Sequence, residues 1–167
     1  MFDSAYRLLK LFASSAPIKG RKKLQKMVYL MSVAGAPFQY KYRYHHFGPY
    51  SEQLQAEINE LVQKGYVSEK NEDSAYVYTL TDKGKMLMER LEQEEGYSCT
   101  IDARLTESLA RQTSTFLEMV STYAFLVQSG DEPERARQKA VELKGHLADM
   151  IDEAISYYEQ IRWKNAG

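Results

Sequence analysis

Apolar positions recur along this chain in short helical stripes separated by clear stops. Tyr6, Leu8, Leu9, Leu11 and Phe12 predict a helix over residues 3–14, which Ser14-Ser15-Ala16-Pro17 ends. Leu24, Met27, Val28 and Met31 share one face of a second helix, about 21–33, and Gly35-Ala36-Pro37 breaks it. Residues 40–47 then alternate, with Tyr40, Tyr42, Tyr44 and His46 on one side and Lys41, Arg43, His45 and Phe47 on the other. Period two predicts an eight-residue strand there. Gly48-Pro49-Tyr50-Ser51 reads as a turn into a third helix, about 51–64, with the stripe Leu54, Ile58, Leu61 and Val62 and a stop at Gly65. Two short strands, 66–69 and 75–80, flank a polar tip at 70–74, and Thr81 caps a helix over 82–94.

The rest of the chain predicts helix. Asp102 caps a long helix to about Gln128, with Leu105, Leu109, Phe116, Val120, Tyr123 and Val127 on one side. Ser129-Gly130-Asp131-Glu132-Pro133 stops it and restarts the chain, because glycine ends helices and proline suits a first turn. A further amphipathic helix, about 146–163, carries Leu147, Met150, Ile151, Ala154, Ile155, Tyr158 and Ile161. The fold expected is mainly α with a small β wing: a winged helix-turn-helix over 1–95 and a C-terminal three-helix region over 100–164. About seventeen residues, including a strand, separate the second and third helices, where a compact motif has three or four. The long helix has more apolar surface than one packing face uses, counting Met119 and Phe125, so the C-terminal region is expected to support a homodimer.

Charge adds a second pattern. From Ser4 to Ser51 there is no Asp or Glu but nine Lys and Arg, leaving 13 basic against 23 acidic residues elsewhere. The overall charge of −1 hides that split. A basic segment of this kind fits an anionic partner, or pairs with the chain's own acidic helices. Lys19, Arg21, Lys22, Lys23 and Lys26 surround a helix N-terminus, where free N–H groups already favour an anion. Lys41 and Arg43 alternate with tyrosines, a pattern that suits nucleic acid or a charge-protected edge strand. These seven residues are the expected contacts to DNA phosphates. Gln53, Gln55 and Asn59 on the third helix are candidate readers of base edges. The neighbouring Glu52, Glu57 and Glu60, and Glu69, Glu72 and Asp73 at the wing, oppose a polyanion.

Two segments carry a family resemblance. Gly20-Arg21-Lys22-Lys23-Leu24-Gln25-Lys26-Met27-Val28-Tyr29-Leu30 and Phe47-Gly48-Pro49-Tyr50-Ser51-Glu52-Gln53-Leu54 resemble the YwgA-like family of bacterial proteins, over most of the chain. A looser likeness, over about residues 10–65, is to the Panacea/SocA antitoxin-like domains, which share a Lys-Leu-Gln-Lys helix and a later Gly-Pro turn. The first implies a winged-helix body with a helical extension and brings no biochemical activity. The second implies a protein-interaction module, whose basic surface would take an acidic partner.

Other chemistry finds little support in the residues. His45 and His46 are adjacent and would face opposite sides of a strand, and His146 is remote, so no metal site is expected. Gly-rich phosphate loops, nucleophile elbows and paired-carboxylate motifs are absent, so neither a cofactor nor a catalytic residue is expected. Cys99 stands alone in a polar connector, which fits a reducing, cytoplasmic setting. No apolar run approaches the ~20 residues of a membrane span. The leading expectation is a DNA-binding regulator without catalytic activity, with the protein-interaction module as the alternative.

Overall fold

The computed structural model describes the backbone of residues 1–166 and the side chains of residues 1–162. Its described part is mainly helical: α1 (Asp3–Ala13), α2 (Arg21–Val33), α3 (Glu52–Gln63), α4 (Asp82–Glu95), α5 (Ala103–Arg111), α6 (Ser114–Gln128), α7 (Pro133–Leu143) and α8 (Ile151–Ala166). The strands are β1 (Ile18–Lys19), β2 (Arg43–His45), β3 (Gly48–Tyr50), β4 (Val67–Glu72) and β5 (Ala75–Leu80). They form a three-stranded antiparallel sheet in the order β1-β5-β4 and a separate β2-β3 hairpin.

Local chemistry accounts for most element ends. Ser51 and Thr81 each accept a backbone N–H three residues on, which starts α3 and α4. Asp102 and Thr113 do the same for α5 and α6. The β4–β5 hairpin turns at Asp73 and Ser74, both with positive φ, so β4 runs three residues further than its sequence pattern predicts. Gly84 lies in the first turn of α4 directly beneath the Tyr66 carbonyl, where an added Cβ would stand 2.1 Å from that oxygen. Only glycine lets the base of this hairpin close on α4.

Three expectations need correction. The eight-residue strand over 40–47 is three residues long, and the following Gly48–Tyr50, expected as a turn, is its partner strand. The inward Tyr, outward basic alternation holds through His45, then fails because His46 and Phe47 form the hairpin turn and are exposed. The long helix 102–128 is two helices, since the chain leaves helical geometry at Gln112 and Thr113 before recapping. Residues 145–150 form a 3-10 segment, and the last α-helix begins only at Ile151.

One hydrophobic cluster runs through the body and the C-terminal helices, from Leu8, Leu9, Leu24 and Leu30 to Leu117, Val120, Tyr123 and Tyr158. At its centre is α6, which packs against α2, α7, α8 and β3. Leu117, Met119, Val120, Tyr123 and Ala124 are all buried. The apolar surplus of this helix, which motivated the homodimer expectation, is thus spent largely inside the chain. No described helix is long and apolar enough to cross a membrane.

Candidate anion-binding cleft

The two sequence segments that carry the family resemblance meet in space. Gln25 is 2% exposed on the buried face of α2, and both ends of its carboxamide bind the Ser51 backbone. Its Nε2 donates to the Ser51 carbonyl at 2.9 Å, and its Oε1 accepts the Ser51 N–H at 2.9 Å. This amide pair fastens the start of α3 to α2 and returns the chain after the hairpin. Gly48 sits at φ +103 with Ser121 Oγ and Thr122 Oγ1 just beyond where a Cβ would be, 3.3 and 3.4 Å away. A side chain at this position would hold the hairpin away from α6.

The result is a cleft of about 380 Å³ between the start of α2, the hairpin and α3. Arg21, Lys22, Gln25 and Lys26 form one wall, His45 to Tyr50 a second, and Gln55 and Asn59 a third. No carboxylate lines it. Arg21 is held to the β4–β5 hairpin: its guanidinium lies 4.0 Å over the Tyr76 ring, Nε donates to the Tyr78 hydroxyl at 3.3 Å, and Glu69 is 3.5 Å away. The Lys22 ammonium stands 3.2 Å over the face of Phe47, a cation–π contact at the cleft mouth. His45 leans on Tyr50, ring centroids 5.0 Å apart. Gln55 donates to Asn59 Oδ1 at 3.0 Å, which leaves the Gln55 oxygen and the Asn59 NH₂ able to face a ligand.

The floor is Lys26, 2% exposed. Among the described residues its ammonium finds one hydrogen-bond acceptor, the Lys22 carbonyl at 3.5 Å, the far limit of such a bond. Burial lowers its pKa to about 8, with Glu118 opposing that fall and Lys22 and Lys144 adding to it. Behind it, Lys144 at the end of α7 is 4% exposed, pairs with Glu118 of α6 at 3.0 Å and donates to the His46 carbonyl. Glu118 therefore pairs with Lys144 and acts on Lys26 only through space, and the hairpin turn is tied to the C-terminal helices through Lys144.

The predicted site residues thus divide. Arg21, Lys22, Lys26, Gln55 and Asn59 converge on the cleft. Lys19, Lys41 and Arg43 are exposed outside it. Gln53 is also outside and uses its Oε1 to accept the Lys41 N–H at 3.1 Å. Lys23, expected at a phosphate, is turned toward α5, donates to the Ala110 carbonyl and has its pKa lowered chiefly by burial. Lys26 likewise points inward and is reached only from the cleft, because its place on α2 falls within the buried face. His45 and His46, expected on opposite sides, line the same cleft, because the strand ends between them. Sequence reasoning passed over Gln25, Glu118, Lys144 and Phe47. Glu118 had a signal, being a lone charged residue within the apolar run Phe116–Val120, whereas Gln25 sits among the lysines of α2 and had none. Lys144 had none.

Fold and site together define the class: a mainly helical protein with a small antiparallel sheet and a cation-lined cleft built at the junction of α2, a hairpin insertion and α3. No family model matches the chain. It is 34% identical to the uncharacterized protein YwgA of Bacillus subtilis (strain 168), over 97% of this chain and 98% of that protein. The chain belongs to the YwgA-like family of bacterial proteins.

Proposed function

We propose that this protein is a cytoplasmic, non-catalytic DNA-binding protein of regulator type, built on a winged-helix body. The order α1, β1, α2, α3, β4, β5 and the sheet order β1-β5-β4 support the winged-helix reading, with the β2-β3 hairpin as an insertion before α3. The lone Cys99 supports a reducing compartment.

The observation that carries the DNA reading is the cleft, where cations from α2 and candidate base readers from α3 share one carboxylate-free surface. Backbone phosphates would run along Lys22 and the exposed Lys19, Lys41 and Arg43. Gln55 and Asn59 would offer carboxamides to base edges. Arg21 contributes less than its position implies, because Glu69 already neutralises part of its charge.

The test is binding to sequenced genomic fragments near physiological salt, followed by anisotropy over a salt series. Four exposed cations predict a slope of log K against log salt of roughly −3.6, at about −0.9 for each phosphate contact. Replacing Lys22, Lys41 and Arg43 by Ala should flatten that slope to near −1. Enrichment of a few related sites supports a regulator; flat recovery and an unchanged slope defeat the proposal.

A second reading is favoured by the acidic face of α3 and the acidic wing. Glu52 and Glu60 are exposed on α3, and Glu72 and Asp73 at the wing tip. These would repel a duplex docked in the ordinary manner of a winged helix. An interaction module of the kind the antitoxin-like resemblance implies would instead place an acidic segment of a protein partner in the cleft. A stable co-purifying protein with only sequence-blind DNA affinity would favour it.

A further inference from the structure

We propose that the floor of the cleft is a site for the phosphate monoester of a nucleotide, held between Lys26 and Lys22. The argument starts from an imbalance of buried charge. Glu118 is committed to Lys144 at 3.0 Å, and Lys26 is left with a single long bond to a backbone carbonyl. A buried ammonium without a close partner is costly, and here it opens onto a cavity from which an anion can enter. A phosphate monoester, carrying about −1.5 to −2 at neutral pH, supplies three acceptor oxygens and restores neutrality.

Depth selects the monoester. A phosphodiester within a strand is flanked by sugars on both sides and stays at the cleft mouth. A terminal phosphate projects alone and can reach a group only 2% exposed. A volume of about 380 Å³ lies within the range of small-ligand sites and exceeds what a bare anion needs. The remaining walls suit a base: the Phe47 and Tyr50 rings offer apolar faces, and the Gln55–Asn59 pair offers one acceptor and one donor at the edge. The other charged groups facing Lys26 are Lys22 on its own helix, Glu118 of α6 and Lys144 at the end of α7. Arg21, His45 and His46 stand in the surrounding walls. Among these Glu118 alone is acidic, so the local field favours an anion.

The experiment is calorimetric titration of the full chain, in phosphate-free buffer, with inorganic phosphate, AMP and adenosine. AMP is expected to saturate below about 1 mM and more tightly than phosphate, with no binding of adenosine. Lys26→Met and, separately, Lys22→Ala should each weaken AMP by about tenfold or more, the loss expected for a charge-assisted contact. The Lys26 side-chain NMR resonance should titrate at higher pH when AMP is bound, a change that a purely structural lysine would not show. Lys22 is exposed, so its variant keeps the test open if Lys26→Met fails to fold. Failure of both phosphate and AMP to saturate, or a folded Lys26→Met protein binding AMP like wild type, overturns the proposal. A single-stranded oligonucleotide with a 5′-phosphate, set against its 5′-hydroxyl counterpart, separates the sources. Preference for the former assigns the group to a nucleic-acid end, and equal weak binding with tight AMP assigns it to a free nucleotide. Duplex binding is measured independently, so the DNA reading can fail while the phosphate site stands, and the reverse.

Discussion

Replacing Lys26 by Met should make the unliganded protein more stable. The lysine is 2% exposed, and burial takes its pKa from 10.5 to about 8. A fall of that size means that holding the proton at pH 7 costs the folded state roughly 3 kcal/mol. Methionine keeps most of the aliphatic stem and removes the charge, while Glu118 retains Lys144. That net cost already contains the attraction to Glu118, and allowing for imperfect packing of the methionine leaves an expected gain of about 1–3 kcal/mol, or roughly 3–9 °C in Tm for a chain of this length. The pH dependence is the sharper readout. The unfolded chain binds this proton more tightly than the folded one, so wild-type stability rises relative to the variant as pH climbs from about 8 towards 10.5. Below about 8 the penalty is present nearly in full. The advantage of the variant should shrink by roughly 2 kcal/mol between pH 7 and pH 9.5. Urea unfolding of both proteins in phosphate-free buffer measures it. A variant less stable at pH 7, or a difference that does not change with pH, would refute the reasoning.

The same cluster predicts the opposite outcome at its acid. Glu118→Gln leaves two buried lysines facing each other and should cost about 3–5 kcal/mol, with part recovered by adding Lys26→Met in a double-mutant cycle followed by denaturant unfolding. Gln25→Ala strands the buried Ser51 N–H, leaves the Ser51 carbonyl only its bond from the Gln55 N–H, and should cost about 1–3 kcal/mol, with hydrogen exchange at the start of α3 accelerating first. Gly84→Ala drives a methyl into the Tyr66 carbonyl and should lower stability by about 2–4 kcal/mol in a thermal melt, loosening the base of the β4–β5 hairpin. An unchanged melt for this variant would show that α4 can shift freely against β4.

Elements whose ends are written in local chemistry were legible from the chain alone. The caps at Thr81 and Asp102, the stop at Gly65 and the restart at Pro133 each fall where the sequence puts them. The misreadings share a cause. Within residues 40–50 the strand was ended two residues too late, because the period-two reading runs on through His46 and Phe47, past the point where β2 stops pairing at His45. At Gln112–Thr113 no glycine or proline announces the break, and the apolar stripe runs through it, so periodicity reads two helices as one. β1 escaped notice because two residues carry no period; pairing with β5 alone makes Ile18–Lys19 a strand.

For the site, the chain declared the charge but not its direction. The cations at the start of α2 follow from the residues alone, as does an anion-attracting character for that segment. Which of them face solvent depends on what packs against α2. Contacts with α5 and α6 turn Lys23 and Lys26 inward, whereas Arg21 and Lys22 lie on the turn that only the sheet and hairpin approach. Lys144 is 118 positions from Lys26 and joins its environment only after the core has formed. Sequence by itself determined most of the helices, the β4–β5 hairpin, the family and the basic character of one face, because propensity, capping and charge are local. The cleft, its aromatic mouth and the uncompensated lysine at its floor were decided by tertiary structure, because burial is a property of what a side chain packs against.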